Sequence, residues 1–478
     1  MNKTLIAVDL DGTLVNGNTL HESLLLLIKS NPLAIFLLPL WAVRGKAYFK
    51  QRLSDLVIPD PALLPYNADL VSWLQNQRQL GREIVLCTAA DQKIAKTVAN
   101  YLGIFDLVLA SDGSCNLRGE TKTEILLKIF PDTPFSYVGD AKIDLAVWKS
   151  AASAIVVNNS QNLKNSCQQV CPIEKQFSQP KTNFKAFLEL LRPHQWTKNL
   201  LVFAPALASN QIGNTDLILE LTQAFLAFCL CSSSIYIIND LMDLENDRKN
   251  PSKCKRPFAS GRVPINQGVI LLPFLLILSA LVSFEINIMF VATILVYFLL
   301  TILYTLLLKN VVLLDCLVLA GAYTLRIAGG SKVISSEMTF WMVSFSVFLF
   351  LSLAYLKRYT ELIDYKTRGY QVNISGRGYK QSDAPFIQIL GVSAGFISVL
   401  LLALYIDSTA SAKIYFMPEV MWAAVIILLY WMTWMWLKAH RGEMHSDPVI
   451  FAMTDRVSLF SGVLFVLIII FGAAGIKL

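Results

Sequence analysis

Three aspartates follow a long apolar run at spacings of three and four residues. They are Asp240, Asp243 and Asp247, and Asn239 stands immediately before the first. Because residues of an α-helix advance by about 100° each, this spacing predicts that the three carboxylates share one helical face. Mg²⁺ prefers carboxylate oxygens and commonly bridges them to substrate phosphates. The cluster therefore predicts a divalent-metal site at the end of a membrane helix, with Asn239 orienting the ligands.

A basic segment comes directly after these aspartates. It contains Lys253, Lys255 and Arg256. Cations beside metal-binding carboxylates are expected to hold the oxygens of a diphosphate. The alternative, a solvated acidic helix end, does not account for the adjoining cations. The pattern indicates diphosphate chemistry where membrane meets water.

A second acidic centre is expected near the beginning of the chain. The apolar run 4–8 ends in Asp9, and Asp11 and Gly12 follow. A carboxylate after a strand, with glycine close behind, is typical of the active edge of a doubly wound parallel sheet. Three further pieces follow in the chain, namely a strand ending at Thr88, a helix opening at Lys122, and a strand ending at Asp140 with Asp144 four residues later.

In this order the four pieces resemble the haloacid-dehalogenase-like hydrolases over residues 1–160. The resemblance implies that Asp9 is a nucleophile forming an aspartyl phosphate and that Asp11 is the general acid–base. It further implies roles for four other residues: Thr88 and Lys122 hold the phosphoryl oxygens, and Asp140 and Asp144 join Asp9 in holding Mg²⁺. The alternatives are an inactive scaffold and a regulatory module that binds a phosphorylated ligand.

Composition separates this region from the remainder of the chain. Of the 478 residues 55% are hydrophobic and 16% are charged, which is too apolar for an ordinary soluble protein. Long uncharged runs begin near residue 199. The net charge of +7 gathers in a few loops, and we interpret it as membrane topology and not as nucleic-acid binding. The eight cysteines show no paired metal-ligand spacing and suit a reduced, cytosolic soluble domain.

The apolar runs predict an all-α membrane bundle of nine transmembrane helices. Seven runs are clear, and two weaker ones cover 199–213 and 311–330. Lysine and arginine gather in the loops 239–267, 309–310, 357–385 and 438–456, so the positive-inside rule places these loops in the cytoplasm. We expect a multi-pass plasma-membrane protein whose N-terminal domain and active sites face the cytoplasm.

One weak run carries two ionisable residues. Asp315 and Arg326 lie eleven residues apart and share a helix face. Such residues either face a substrate cavity or form structural ion pairs with other helices, and both readings stay open here.

The run from Asn239 to Asp247 resembles the first aspartate-rich motif of UbiA-type prenyltransferases, and the resemblance covers residues 186–478. Several stretches resemble one branch, decaprenyl-phosphate phosphoribosyltransferase: 192–199, 255–257, 308–315, 326–330, 357–362 and 447–449. The aromatic prenyltransferases of the superfamily carry a second Asp-x-x-x-Asp motif where this chain has Lys357 to Asp364. That departure favours the phosphoribosyl branch.

The resemblance implies transfer of 5-phosphoribosyl from phosphoribosyl pyrophosphate to a polyprenyl phosphate, with Mg²⁺ as cofactor, in the synthesis of a cell-wall precursor. The fused phosphatase would then remove the 5-phosphate. The alternative is prenylation of an aromatic or other acceptor, and a homo-oligomer is compatible with either. The expected substrate contacts are Lys198, Asn239, Lys253, Lys255, Arg256, Asp315, Arg326, Lys357 and Arg358.

The expected organisation is an N-terminal α/β domain over 1–160, a linker over 161–185 and the membrane domain over 186–478. A helical cap is expected to interrupt the α/β domain at about 20–80. Within it the run 32–43 is almost wholly apolar but too short to span a bilayer, and Arg44, Lys46, Lys50 and Arg52 follow. This run is either a buried cap helix or a segment that dips into the membrane interface.

Overall fold

The computed structural model describes residues 5–131, 133–180, 182–211, 213–251, 253–367, 378–408, 411, 415–444 and 447–474. Parts of the predicted loops 357–385 and 438–456 therefore lie outside the described residues. The chain divides into two compact units, Met1–Leu190 with Ile237–Leu271, and Leu191–Tyr236 with Leu272–Leu478. The segment around the aspartate cluster thus belongs to the first unit, whereas the sequence had placed it in the membrane domain.

The first unit is built on a six-stranded parallel sheet with the order β3-β2-β1-β4-β5-β6. Residues of β1 alternate between two apolar cores, because Ile6 and Val8 face one layer and Leu5 and Ala7 face the other. Helices therefore cover both faces, as expected for a doubly wound sheet. The strands are β1 (Leu5–Val8), β2 (Ile84–Asp91), β3 (Leu107–Ser111), β4 (Phe135–Gly139), β5 (Ser153–Val157) and β6 (Ile173–Phe177).

The helices up to residue 191 are mostly short and amphipathic. They are α1 (Thr19–Ser30), α2 (Leu38–Val43), α3 (Lys46–Leu56), α4 (Ala68–Gln79), α5 (Gln92–Leu102), α6 (Glu120–Ile129), α7 (Leu145–Trp148), α8 (Gln161–Gln168) and α9 (Phe184–Leu191). Short 3₁₀ turns cover Pro32–Leu37, Pro61–Leu63 and Lys142–Asp144.

Two predicted boundaries are wrong. The expected linker 161–185 contains α8 and β6, which complete the sheet; β6 is a polar edge strand and therefore lacks the apolar pattern of an interior strand. The cap is shorter than 20–80, because Leu70 and Leu74 of α4 pack into the sheet core. The cap consists of α1, the turn Pro32–Leu37, α2 and α3, around a small core of Leu27, Ala34 and Leu53.

The chain from residue 193 onward is helical. It contains a 3₁₀ segment Pro193–Phe203, α10 (Ala204–Ala208), α11 (Thr215–Met242), α12 (Leu244–Lys249), α13 (Ile265–Ile286), α14 (Ile288–Leu306), α15 (Leu314–Val333), α16 (Phe340–Thr367), α17 (Ala384–Ile406), α18 (Trp422–His440), α19 (Pro448–Ala452) and α20 (Arg456–Ala474). Further 3₁₀ turns cover Leu308–Asn310, Gln381–Asp383 and Pro418–Met421.

Seven helices of the described chain are long and apolar enough to cross a membrane: α11, α13, α14, α16, α17, α18 and α20. The two weaker apolar runs, 199–213 and 311–330, account for the difference from the nine predicted spans, because in the described chain neither forms a helix that is both long and apolar enough. Residues 193–208 form a 3₁₀ segment and the five-residue α10, with Pro193 and Pro205 in the first turns. Helix α15 is 20 residues long, but Asp315, Arg326 and Lys332 make it more polar than the others.

Candidate active sites

Three carboxylates meet at the carboxyl ends of β1 and β4 in the first unit. Asp9 follows β1, Asp140 follows β4, and Asp144 ends the next 3₁₀ turn. Oxygens of the three side chains lie within 4.8 Å of one another, the only such acidic trio among the described residues. Burial, followed by the charges of Asp144 and Asp9, raises the pKa of Asp140 to about 7. Clustered carboxylates of this kind suit a divalent cation, which relieves their mutual repulsion.

Gly12 allows this cluster to form. Its φ is +80°, and a Cβ there would lie 2.4 Å from Asp140 Oδ2. Thr13 Oγ1 donates to Asp140 Oδ1 at 3.0 Å, so the turn after β1 directly contacts the acid after β4. Glycine is required here for both its backbone conformation and its lack of a side chain.

Asp11 points toward the start of the cap. Its Oδ1 accepts the backbone N–H of Thr19, the first residue of α1, at 2.7 Å. Burial is the main cause that raises the pKa of Asp11 to about 6, and the charge of Asp9 adds to it. A carboxyl group with this pKa can hold or release a proton near neutral pH, as a general acid–base must.

Lys122 and Asp9, both expected at a phosphoryl site, form an ion pair. Lys122 Nζ lies 2.8 Å from Asp9 Oδ2 and donates to the hydroxyl of Tyr137 at 2.8 Å. That hydroxyl donates to Asp144 Oδ1 at 3.1 Å. Tyr137 therefore joins Lys122 to a carboxylate of the acidic trio. Sequence reasoning missed it, because a tyrosine in an apolar strand reads as core.

Two further residues line the same edge of the sheet. The parallel register Val8–Leu86 places Thr88 two residues further along β2, which continues to Asp91 and does not end at Thr88 as predicted. The Thr88 hydroxyl accepts the N–H of Ala90 at 3.0 Å. Lys50 of the cap helix α3 donates to Ala89 O at 2.6 Å and to Asn116 Oδ1 at 2.9 Å. The sequence shows Lys50 only as one of several cations after an apolar run. Nothing in the neighbouring residues indicates that its side chain points toward the sheet.

Burial lowers the pKa of Lys50, although the nearby Asp11 carboxylate acts in the opposite direction. A cation from the cap thus stands within electrostatic range of the proposed acid–base. This arrangement can bind an anionic substrate between cap and sheet.

The aspartate cluster is not one continuous helical face. Helix α11 ends at Met242, and Asp243 caps the short helix α12. Asp240 Oδ1 and Asp247 Oδ2 both accept from Arg256 Nη1, at 3.0 and 2.7 Å. The two buried carboxylates therefore converge on a single position that holds positive charge. Burial raises the pKa of Asp247, with the Arg256 guanidinium opposing it.

The remaining polar residues of this segment differ in exposure. Asn239 is half-buried, and its carbonyl accepts the N–H of Asp243 at 2.9 Å. Lys253 and Lys255 are exposed. Arg256 is thus the member of the basic segment that the structure brings to Asp240 and Asp247.

The second unit has a charged centre of its own. Lys198 and Lys357 each donate to Asp447 Oδ2 at 2.8 Å. Burial acts to raise the pKa of Asp447, but the two ammonium groups outweigh it and hold that pKa well below its usual range. Asp447 caps α19 through the N–H of Val449 at 3.1 Å. The sequence indicates Asp447 only as part of the stretch 447–449. In the structure it holds Lys198 and Lys357, two of the predicted substrate contacts, in place.

Arg326 is fully occupied by neighbours in the same unit. Its guanidinium donates to Asn199 Oδ1, Ala322 O and Tyr297 OH, each at 2.7 Å. It also lies over the ring of Tyr297, 4.7 Å from the centroid. The side chain is buried, so the contacts favour a structural role.

Asp315 forms an ion pair with Arg358 and not with Arg326. Arg358 Nε lies 2.5 Å from Asp315 Oδ2, and neither side chain has exposed surface. Tyr379 OH donates to Asp315 Oδ1 at 2.6 Å, and Glu361 takes a second Arg358 nitrogen at 2.5 Å. The geometry supports the structural ion pair that the sequence left open, and it does not support Asp315 or Arg358 as direct substrate contacts.

The family model for the UbiA prenyltransferase family matches residues 199–461. This match covers more than half of the chain, and the chain belongs to that family. Membership makes it a transferase with a membrane-type fold, in accord with the seven apolar helices.

Three relatives are similar to this chain, one over nearly its whole length and two over somewhat more than half of it. An uncharacterized protein, y4nM of Sinorhizobium fredii, is 33% identical over 97% of this chain and 90% of its own length. The nodulation protein NoeC of Azorhizobium caulinodans is 34% identical over 58% of this chain and 90% of its own. The decaprenyl-phosphate phosphoribosyltransferase of Mycolicibacterium smegmatis is 29% identical over 58% of this chain and 89% of its own.

Proposed function

We propose that this chain transfers 5-phosphoribosyl from phosphoribosyl pyrophosphate to a polyprenyl phosphate and then removes the 5-phosphate. The observation that carries the transfer step is the pair Lys198 and Lys357 held on Asp447. Lys357 stands where an aromatic prenyltransferase of this superfamily has its second aspartate motif. A phosphosugar donor has one more phosphate group than a prenyl diphosphate, and two adjacent ammonium groups suit that group. The mycobacterial relative's name agrees with this choice.

In the transfer step, a phosphate oxygen of the polyprenyl phosphate attacks C1 of the sugar. The bond from C1 to the pyrophosphate oxygen breaks, and pyrophosphate leaves. Lys198 and Lys357 would hold the 5-phosphate and so orient C1 toward the lipid phosphate.

The phosphatase step uses the first unit. Asp9 attacks the 5-phosphorus, the bond to sugar O5 breaks, and Asp11 protonates that oxygen. Lys122 offsets charge on the phosphoryl oxygens, and Thr88 and Lys50 contact the substrate from sheet and cap. Asp11 then accepts a proton from the water that hydrolyses the aspartyl phosphate.

Mg²⁺ would suit both acidic sites. Asp9, Asp140 and Asp144 would hold one ion. Asp240 and Asp247, with Asp243, would hold another, which would take the position that Arg256 Nη1 occupies between the first two carboxylates. When bound, the ion supplies positive charge that neutralises phosphate oxygens and fixes their orientation. We place both sites on the cytoplasmic side of the plasma membrane.

A product assay in membranes that contain the full chain tests each step separately. With phosphoribosyl pyrophosphate and polyprenyl phosphate, the wild-type protein should yield a lipid-linked ribose. Asp9→Asn should stop at the lipid-linked phosphoribose, and Asp240→Asn should yield neither. Asp69→Asn, at an exposed site on α4, is the matched control and should behave as wild type.

Two outcomes would overturn the proposal in different places. A prenylated aromatic acid, formed without any lipid-linked pentose, would replace the transfer step by prenyl transfer. Unchanged loss of the 5-phosphate in Asp9→Asn would remove the phosphatase step alone.

A further inference from the structure

The outer surface of the cap is strongly apolar. We name the segment Pro32–Val43, which comprises the 3₁₀ turn and α2, the cap apex. Leu33 is 74% exposed, Phe36 75%, Leu40 63% and Val43 88%. Large side chains at this exposure form a contiguous patch, which a soluble surface normally avoids.

The inner side of the cap apex already has its core. Ala34 is buried against Leu27 and Leu53, with Leu38 and Trp41 packed around them. The outer residues therefore do not belong to an incomplete cap core. Among the described residues of the first unit, none covers them.

The charged side chains between Glu22 and Asp55 in the chain are all cationic. Between Glu22 and Asp55 the chain has no acidic residue, whereas it has Lys29, Arg44, Lys46, Lys50 and Arg52. Lys50 turns toward the carboxyl edge of the sheet, whereas Arg44 and Arg52 both donate to the hydroxyl of Tyr48, at 3.0 and 3.1 Å. An apolar patch bordered by cations complements an anionic lipid surface.

The cap also lies at the end of a candidate membrane span. Leu25 and Lys29 of α1 line one small cavity together with Leu241 and Met242, the last residues of α11. Helix α11 is long and apolar enough to cross a membrane. The cap apex begins two residues after α1 ends, so it is close to the level at which α11 leaves the bilayer.

We propose that the cap apex inserts into the interfacial region of the membrane that this chain spans. Leu33, Phe36, Leu40 and Val43 would lie among the upper acyl chains, and Arg44, Lys46 and Arg52 would contact anionic headgroups. A segment of 12 residues is too short to cross the bilayer, so it lies in the interface. Insertion would hold the cap, and with it Lys50, against the membrane surface.

The test places a fluorescent amino acid at Phe36 or at Leu40 of the full-length protein in lipid nanodiscs. The matched control places it at Leu80, which is 72% exposed after α4 and distant from the cap in sequence. Lipids brominated on their acyl chains should quench the probe at positions 36 and 40 and leave position 80 unchanged. Equal quenching at all three positions, or none at 36 and 40, would overturn the proposal.

Lipid composition tests the charged border. Quenching at position 36 should fall when phosphatidylglycerol is replaced by phosphatidylcholine, and Arg44→Gln with Lys46→Gln should remove that dependence. If position 36 is shielded only when two copies share a disc, the patch is an interface between copies and the membrane assignment fails. These readouts need no enzymatic activity, so their failure is distinct from failure of the proposed function.

Discussion

Arg248 and Glu22 form a two-point salt bridge inside the first unit. Arg248 Nη1 and Nη2 each lie 2.8 Å from an oxygen of Glu22, and Nε donates to Ala259 O at 3.1 Å. Glu22 lies on α1, and Arg248 lies on α12 beside Asp247. The pair therefore ties the cap of the α/β fold to the aspartate segment 240–247 within the first unit.

Loss of this pair should destabilise the first unit. Arg248→Gln leaves a buried carboxylate without its partner, and we expect a loss of about 3–5 kcal/mol in the free energy of unfolding. The control is Lys93→Gln, which removes an exposed pair with Asp55 and should cost below about 1 kcal/mol. Chemical denaturation of the purified protein, followed by tryptophan fluorescence, measures both. Equal losses in the two variants would contradict the role assigned to Arg248.

Tyr137→Phe should weaken metal activation of the phosphatase. Without the hydroxyl, Lys122 and Asp144 lose the group that joins them, and partners of metal ligands typically contribute about 10–100-fold in affinity or activity. The Mg²⁺ concentration for half-maximal phosphate release should rise by that factor. Tyr66→Phe is the control, because its buried hydroxyl has no hydrogen-bond partner among the described residues. An unchanged Mg²⁺ dependence in Tyr137→Phe would show that the hydroxyl only fills space.

Asp447→Asn should impair transfer although Asp447 is not expected to touch the substrate. Removing its charge leaves Lys198 and Lys357 to repel each other, and their positions should separate. We expect kcat/KM for the diphosphate donor to fall about 10–100-fold, as for Lys357→Met, on the scale of a hydrogen bond to a charged group. Lys332→Met, at an exposed lysine of α15, should leave the rate unchanged.

The role of Lys50 predicts an alkaline limit in phosphatase substrate binding. A protonated Lys50 attracts the anionic substrate, and burial places its pKa below that of an ordinary lysine. KM should therefore rise as pH increases through this lowered pKa. In Lys50→Arg the guanidinium stays charged to above about pH 12, so KM should stay flat over the same range. KM measured from about pH 7 to 10 distinguishes the two, and identical profiles would place the titration elsewhere.

The sequence indicated the sheet and its acidic edge because both depend on local patterns. Strand ends at Asp9 and Asp140 meet whenever β1 and β4 are neighbours in a parallel sheet. The prediction that Asp240, Asp243 and Asp247 share one helical face was wrong, because α11 ends before Asp243. Spacing alone carries no information on where a helix stops without glycine or proline to mark it.

Contacts distant along the chain were beyond sequence reasoning. Arg256 contacts Asp240, which precedes it by 16 residues. Lys198 contacts Asp447, which follows it by 249 residues. Helical periodicity suggested Asp315 and Arg326 as neighbours, yet each found a partner on another element. The cap apex was ambiguous for a related reason, because an apolar run of its length suits a core and an interface equally, and only the exposed fractions separate them.

The first unit includes Ile237–Leu271 from the middle of the chain. Gly261 shows how tightly this segment packs against the N-terminal part of the unit. A Cβ at Gly261 would lie 2.3 Å from the carbonyl oxygen of Asn16, in the segment between Asp9 and α1. The polypeptide therefore enters, leaves and re-enters this unit, so no single cut divides the chain into its two parts. A protein truncated near residue 190 would lack a part of the first unit. A chimaera that borrows a foreign transferase would have to retain 237–271 from the parent.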